Sequence, residues 1–191
     1  GELVGLTGPS GTGKSTMARV LALLHEPRAG SVRIDGTLVR GAGYAVPSQV
    51  RRQVALLFQS PRAATDPRMA LRTIIGQPAA IARRAVDVDE LASRVGLTPD
   101  LLGRRPHQVS DGQLQRACIA RALAQQPRYL ICDEATAMLD AATTASIMRL
   151  VLHEASEAGM GVLMISHDLE LLDAVGAAPN KCVRTRCAQC R

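Results

Sequence analysis

The fold is decided by the stretch Gly8-Pro9-Ser10-Gly11-Thr12-Gly13-Lys14-Ser15-Thr16, which matches the pattern G-x-x-x-x-G-K-[ST] in full. It follows a short apolar run typical of a buried strand, Leu3-Val4-Gly5-Leu6. Downstream, apolar residues recur at the spacing of an amphipathic helix, at Met17, Val20, Leu21 and Leu24. A strand, a glycine-rich loop and a helix in this order predict a phosphate-binding loop.

The residue types in this loop suit an anionic ligand. Glycines let the backbone curl so that its N–H groups point at phosphate oxygens, and the helix adds the positive end of its dipole. Lys14 is the only lysine before position 181, and its ammonium is predicted to contact the β- and γ-phosphates. The Ser15 hydroxyl is a candidate Mg²⁺ ligand. The alternative is a glycine-rich turn without a ligand.

Composition narrows the class of protein. Hydrophobic residues make up 47% and charged residues 21% of the chain, as in globular domains. No apolar run approaches the ~20 residues of a membrane span, so we expect no membrane crossing, and no signal peptide is predicted. The net charge of +6 resides mainly in residues 181–191, which hold basic residues and no acid. With only two tyrosines and one phenylalanine for base stacking, nucleic-acid binding is not predicted.

The cysteines fall into two groups. Cys118 and Cys132 have apolar sequence neighbours and are predicted to be small core residues of a reduced, cytosolic protein. Cys182, Cys187 and Cys190 have C-x4-C-x2-C spacing, but a zinc site would need a fourth ligand, and none lies nearby.

Strand and helix patterns alternate along the chain, which predicts an α/β fold with a mostly parallel sheet flanked by helices. Residues 1–59 and 110–172 are expected to form this core. Residues 60–109 carry helical patterns, including a helix predicted to start at Thr98-Pro99, and are expected to form an inserted helical subdomain. Residues 173–191 lack apolar periodicity and are expected to form a disordered tail.

Three local signals place individual elements. Asp35-Gly36 predicts a turn that closes the strand before it. Val54-Ala55-Leu56-Leu57-Phe58 predicts another buried strand. Ser110 predicts the N-cap of a helix that runs from near Asp111 to about Gln125.

Polar residues follow two further predicted strands, residues 129–132 and 162–165. Asp133-Glu134 after the first strand is the Walker B pattern, in which Asp133 is expected to hold Mg²⁺ through water and Glu134 to act as general base. His167 follows the second strand. Because ligands bind at the carboxyl ends of parallel strands, these residues are candidates for the same site. The alternative interpretations are that the acidic pair is a solvated strand end and that His167 is a lone surface histidine.

With these motifs, nearly all of residues 1–172 resembles the nucleotide-binding domain of ATP-binding cassette (ABC) transporters. Gln59 in Phe58-Gln59-Ser60-Pro61 matches the Q-loop, which in the family senses Mg²⁺ and the attacking water. Residues 109–116 match the signature motif, residues 137–140 match the D-loop, and His167 matches the switch histidine. The order of the motifs is that of the family.

The resemblance implies a role for each matching residue. Catalysis is expected from Glu134, His167 and Gln59. Mg²⁺ is expected at Ser15, Gln59 and Asp133. ATP is expected to contact the whole phosphate-binding loop and Ser110, Gly112, Gln113 and Asp140.

The family's mechanism also implies partners. Each ATP lies between the phosphate-binding loop of one subunit and the signature helix of another, so a head-to-tail dimer is expected, either homodimer or heterodimer. The family further implies transmembrane permease subunits, a solute-binding protein that acts indirectly, and a place at the cytoplasmic face of the cell membrane. Asp66-Pro67-Arg68-Met69 and Pro106-His107 are most similar to the peptide/nickel importer group.

The sequence departs from the family pattern at four places. Asp111 replaces the first signature glycine and brings a carboxylate near a phosphate site. Met138 stands where the D-loop has a small residue, which implies altered dimer contacts. The family's adenine-stacking aromatic lies upstream of position 1. Beyond Asp173 the family's next strand is not recognisable, so a chain truncated at both ends, with a frameshifted tail, is expected.

Three functions compete. The first is an ATP-hydrolysing subunit that powers import, of peptides or nickel. The second is a nucleotide-binding remnant that does not hydrolyse ATP. The third is an ABC ATPase of DNA repair or translation, which is disfavoured because the segment between Gln59 and Ser110 is too short for a long coiled coil and the chain carries a single cassette.

Overall fold

The computed structural model describes residues 1–136 and 139–181, and this part of the chain contains alternating strands and helices. The strands are β1 (Leu3–Thr7), β2 (Val32–Ile34), β3 (Thr37–Val39), β4 (Val54–Leu57), β5 (Tyr129–Asp133), β6 (Gly161–Ile165) and β7 (Ala178–Lys181). The helices are α1 (Lys14–Leu21), α2 (Ser48–Arg51), α3 (Leu71–Ile81), α4 (Val88–Arg94), α5 (Asp111–Gln125), α6 (Ala141–Ala158) and α7 (Leu169–Ala174).

Five strands form one parallel sheet in the order β4-β5-β6-β1-β7. The predicted α/β class with a mostly parallel sheet is therefore confirmed. Strands β2 and β3 form a separate antiparallel hairpin. Its turn places Asp35 at φ 49° and Gly36 at φ 78°, both left-handed, as a tight hairpin turn requires. The predicted Asp-Gly turn is confirmed.

Both faces of the parallel sheet are buried, because successive side chains of a strand point to opposite faces. On β5, Leu130 and Cys132 belong to the larger core, which α3, α4, α5 and α6 cover. Ile131 belongs to the smaller core on the other face, where Ala18 of α1 packs. The predicted core positions of Cys118 and Cys132 are confirmed, since both are buried free thiols.

Helix α5 has the bounds that its sequence predicted. It begins after the N-cap Ser110 and ends at Gln125, with Gln126 in a left-handed conformation at φ 55°. Between β4 and α5, the described elements are α3, α4 and two short 3₁₀ turns, Pro99–Leu101 and Pro106–Gln108. Helix α3 packs along α5 and so attaches this segment to the core.

The prediction of a helix that starts at Thr98-Pro99 is wrong, because the structure has only a single 3₁₀ turn there. Two backbone contacts give the reason. The carbonyls of Leu102 and Arg104 accept hydrogen bonds from the N–H groups of Arg72 and Leu71, each at 2.9 Å. These carbonyls close the start of α3, so they are not used to extend a helix of their own.

The prediction of an irregular tail from Asp173 is wrong for the part that the structure describes. Asp173 lies in α7, and β7 pairs with β1 from Val4↔Ala178 to Thr7↔Lys181. This strand has no apolar alternation, and it pairs through backbone groups that carry no side-chain signal. A proline is compatible with a strand at the edge of a sheet. Residues 182–191, with their cysteines, lie outside the described residues, as do Ala137 and Met138 of the predicted D-loop.

Within residues 1–136 and 139–181, none of the helices has the length and apolar character needed to cross a bilayer.

Candidate nucleotide site

The register of the sheet brings the predicted site residues to one edge. Leu6 of β1 is paired with Ile165 of β6, and Ile165 is paired with Asp133 of β5. On the far side of β5, Cys132 is paired with Leu57 of β4. The segments that follow β1, β4, β5 and β6 therefore leave the sheet together, where ligands bind in parallel α/β folds.

The loop after β1 is shaped to accept an anion. Gly11 and Gly13 have φ of 78° and 99°, the left-handed conformations that glycine adopts most readily. A Cβ at either position would meet nothing within 4 Å, so backbone conformation rather than space requires glycine there. Gly13 is the N-cap of α1 and supplies no side-chain cap. The first N–H groups of α1 are thus left for a ligand.

Lys14 is held against the loop that precedes it. Its Nζ donates to the carbonyl oxygens of Gly8 at 2.8 Å and Pro9 at 3.1 Å, and the residue is only 6% exposed. Among the described residues no carboxylate forms an ion pair with it. Because a buried charge is normally paired, the ammonium is suited to an incoming phosphate.

Ser15 and Asp133 come together although 118 positions separate them along the chain. The Ser15 hydroxyl donates to Oδ1 of Asp133 at 3.1 Å. Burial raises the pKa of the Asp133 carboxyl, and the hydrogen bond from Ser15 opposes that rise. A hydroxyl and a carboxylate beside phosphate-binding N–H groups are hard oxygen donors of the kind that Mg²⁺ prefers, so this pair fits the metal.

Glu134 and His167 lie beside each other at the same edge. Oε1 of Glu134 is 3.6 Å from Nδ1 of His167, and the Glu134 side chain is mostly buried while that of His167 is exposed. Glu134 has φ 48°, and its N–H donates to the carbonyl of Ile165 at 3.0 Å. A non-glycine residue in this conformation is strained, and such strain is concentrated at functional sites. Gln59 follows β4 at this edge and is exposed.

The predicted signature residues form a self-contained helix start. The N–H of Gln113 donates to Ser110 Oγ at 3.2 Å, and the N–H of Ser110 donates to Gln113 Oε1 at 3.0 Å. This reciprocal pair is a capping box. A Cβ on Gly112 would lie 3.1 Å from Cγ2 of Thr143 in α6, so the absence of a side chain allows close packing of the two helices.

Asp140 caps α6 in the same way that Ser110 caps α5. Its Oδ1 accepts from the Thr143 N–H at 3.0 Å and its Oδ2 accepts from the Thr143 hydroxyl at 2.6 Å. These bonds hold the pKa of the Asp140 carboxyl below its usual value. Within the chain Asp140 therefore has a structural role, besides the role that the resemblance implies.

Comparison with known proteins identifies the architecture. The family model described as ABC transporter matches residues 1–137. The chain belongs to the ABC transporter family. The predicted family, and its likeness to peptide and nickel import proteins, are confirmed.

Two relatives show the extent of the match. The nickel import ATP-binding protein NikE of Brucella abortus is 41% identical over 183 residues, which cover 93% of this chain and 69% of NikE. YkfD of Bacillus subtilis, an ATP-binding protein named for oligopeptide transport, is 40% identical over 179 residues, or 90% of this chain and 54% of YkfD. The chain thus spans about half the length of YkfD.

Solved structures share the fold of this ABC cassette. The dimeric bacterial ABC transporter cassette MJ0796 matches with a TM-score of 0.82 and 29% identity, over 95% of this chain and 82% of that one. A dimeric post-hydrolysis state of the same cassette, bound to ADP and Pi, matches with a TM-score of 0.77 and 30% identity, over 89% and 76% of the two chains.

Sequence reasoning missed one contact of the cassette. It singled out Asp111 but not its partner, Arg62, whose Nε lies 2.7 Å from Asp111 Oδ1. Nothing in the local sequence links the two, since they are far apart along the chain and Arg62 lies outside the signature motif that contains Asp111.

Proposed function

We propose that the chain binds ATP, hydrolyses it as a dimer and powers an ABC importer for peptides or nickel. The observation that carries this proposal is the meeting of Ser15 with Asp133, beside the Glu134–His167 pair, at the edge of the sheet where the phosphate-binding loop begins. These groups supply the parts that phosphoryl transfer to water needs: anion binding, metal ligands and a base.

In the proposed binding step, the N–H groups of the loop and of the first turn of α1 receive the phosphates. Lys14 exchanges its carbonyl partners for phosphate oxygens, because charged acceptors form stronger hydrogen bonds with an ammonium than neutral acceptors do. Ser15 and Asp133 would hold Mg²⁺, with Gln59 close to the same edge, and the metal would neutralise charge on the phosphates.

In the proposed chemical step, Glu134 accepts the proton of the water that attacks the γ-phosphorus. His167, placed 3.6 Å from the Glu134 carboxylate, holds the γ-phosphate and that water in line. The strained backbone of Glu134 keeps its carboxylate at the strand end rather than in a regular helical turn.

The proposal includes a head-to-tail dimer. The hydrogen bonds that the structure gives Ser110 are those of its capping box and one from the Leu114 N–H to the Ser110 carbonyl, and none reaches the loop after β1 in the described part of the chain. The exposed start of α5 is therefore free to face ATP held by a second subunit. The dimeric cassette MJ0796, which shares the fold, supports this arrangement.

The importer role extends the proposal beyond the chain. Relatives named for nickel import and for oligopeptide transport support permease partners at the cytoplasmic face of the membrane, with cargo chosen outside this subunit. Co-purification of the chain with transmembrane permease subunits would test that part.

Release of inorganic phosphate from ATP tests the enzymatic part. We expect Mg²⁺-dependent hydrolysis by the chain and its loss in Glu134→Gln. A chain that binds ATP without releasing phosphate would be a nucleotide-binding remnant instead, and the proposal would be wrong.

A further inference from the structure

The start of α5 carries a negative charge, which opposes the proposed contact between this helix and ATP. Asp111 is the first residue of the helix and is about half exposed, next to Ser110. A carboxylate at a helix N-terminus is attracted to the same N–H groups that would receive a phosphate. On its own, Asp111 would repel ATP carried by a second subunit and compete with it.

Arg62 offsets this charge. Its Nε lies 2.7 Å from Asp111 Oδ1. The same guanidinium donates to the carbonyl of Pro106 at 2.9 Å and to that of Val109 at 3.2 Å. A planar guanidinium can serve three acceptors at once, which a lysine ammonium on a flexible stem does less well. Arg62 thus ties together the segment that leads into Ser110.

Stability is a weak explanation for this arrangement. Both side chains are nearly half exposed, and ion pairs between exposed side chains contribute little to folding. Of the two carbonyls that Arg62 also binds, that of Val109 directly precedes the capping residue Ser110 and that of Pro106 lies four residues before it. These contacts therefore act on the segment that positions the helix start.

We propose that Arg62 is a positioning residue for the signature end of the cassette, which cancels the charge of Asp111 and fixes segment 106–111 so that Ser110 can meet ATP on a second subunit. This inference rests on the proposed function, because it needs the sandwich dimer. It adds a residue outside the signature motif, from the segment that follows Gln59.

The test compares ATP-dependent dimerisation in a Glu134→Gln parent, in which bound ATP is not consumed. We expect Arg62→Met to raise the dimer dissociation constant about tenfold, because an uncompensated like charge is left in a polar interface. Binding of ATP to the monomer is expected to be unchanged. Analytical ultracentrifugation and titration of a fluorescent ATP analogue give the two values.

Arg72→Met provides a matched control. Arg72 pairs with Asp89, which lies in the first turn of α4, at 2.6 Å, and both side chains are about half exposed. The pair thus has the same chemistry at a helix start that has no proposed contact with ATP. We expect Arg72→Met to dimerise like the parent and to match Arg62→Met in melting temperature.

Removing the carboxylate of Asp111 separates the effect of its uncompensated charge from a general loss of order in the segment. In the Asp111→Gly background, Arg62→Met is expected to raise the dissociation constant by less than it does in the parent, because no carboxylate is left to compensate and only the hydrogen bonds to the two carbonyls are lost. An Arg62→Met variant that dimerises like the parent, a loss equalled by Arg72→Met, or a loss that Asp111→Gly fails to relieve would each overturn the inference. A Glu134→Gln parent that stays monomeric with ATP would overturn the proposed function, and this inference with it.

Discussion

The phosphate-binding loop and the signature segment both lead into a helix, but the two helix starts differ in what they leave free. Helix α1 begins at Gly13 with no side-chain cap, and its lysine is held over the loop. Helix α5 begins at Ser110 with a complete capping box and an aspartate paired with Arg62. The first start needs a ligand to satisfy its N–H groups, whereas the second has the N–H groups of Ser110 and Gln113 satisfied within the chain.

The difference suggests a division of labour between the two ends of the site. The α1 end is suited to bind ATP by itself, because its first backbone N–H groups and its buried ammonium have no anionic partner among the described residues. The α5 end is suited to add a smaller, adjustable contact from a second subunit. Variants that act on one end of the site and not on the other test whether the two ends have these separate roles.

The largest effect is expected from Glu134→Gln, which stops hydrolysis while both ends stay intact. Glutamine keeps the size of the side chain but cannot accept the proton from water, so phosphate release should fall by about 10²–10⁴-fold. ATP-bound dimers should then accumulate, visible by size-exclusion chromatography. The same comparison in the Asp111→Gly background controls for the signature charge. Hydrolysis at the rate of the unmodified chain would contradict the role of Glu134.

Lys14→Ala breaks the α1 end. A charged hydrogen bond contributes about 1.5–3 kcal/mol, so the affinity for a fluorescent ATP analogue should fall by roughly 10- to 100-fold. Arg72→Ala, which removes a positive charge from an exposed pair elsewhere, should leave the affinity unchanged. Equal affinity of Lys14→Ala and the unmodified chain would rule out the phosphate-binding loop.

Shortening the chain tests the support of the α1 end from its neighbouring strand. A chain that stops after Lys181 should bind ATP normally, whereas one that stops after Ala177 loses β7 and leaves the edge of β1 unpaired. At about 1 kcal/mol for each lost backbone hydrogen bond, the shorter chain should melt several degrees lower. Equal melting temperatures would show that β7 does not stabilise the sheet.

Ser110→Ala has the smallest expected effect and acts on the α5 end alone. Loss of the N-cap should cost about 1 kcal/mol of stability, or roughly 2–4 °C in melting temperature. Asp87 caps α4, and its carboxylate accepts hydrogen bonds from two backbone N–H groups. Asp87→Ala removes this cap and should lower the stability by a similar amount. In a Glu134→Gln parent, only Ser110→Ala should also weaken the ATP-dependent dimer. If both variants weakened the dimer equally, Ser110 would act only as a helix cap and would have no contact with ATP.

Local signals were reliable where the structure depends on neighbouring residues. The capping residue Ser110 and Pro127, which cannot continue a helix, determine α5 almost to the residue. Asp35-Gly36 makes a hairpin turn because both positions require left-handed backbone. The turn at Thr98-Pro99 shows the limit. Its residues favour a helix start, but the carbonyls that follow are engaged by α3.

Residue type and short-range spacing are enough to predict the phosphate-binding loop, the alternation of strands and helices, and the groups at the strand ends. These features could therefore be predicted from the sequence. Tertiary structure alone decided which groups meet. Placing β6 between β5 and β1 brings Ser15 to Asp133 across 118 positions of the chain, and Arg62, which follows the Q-loop, reaches Asp111 in the signature motif. Strand order and edge pairing are made by backbone hydrogen bonds, which are alike for all residues except proline and so leave no trace in the order of side chains.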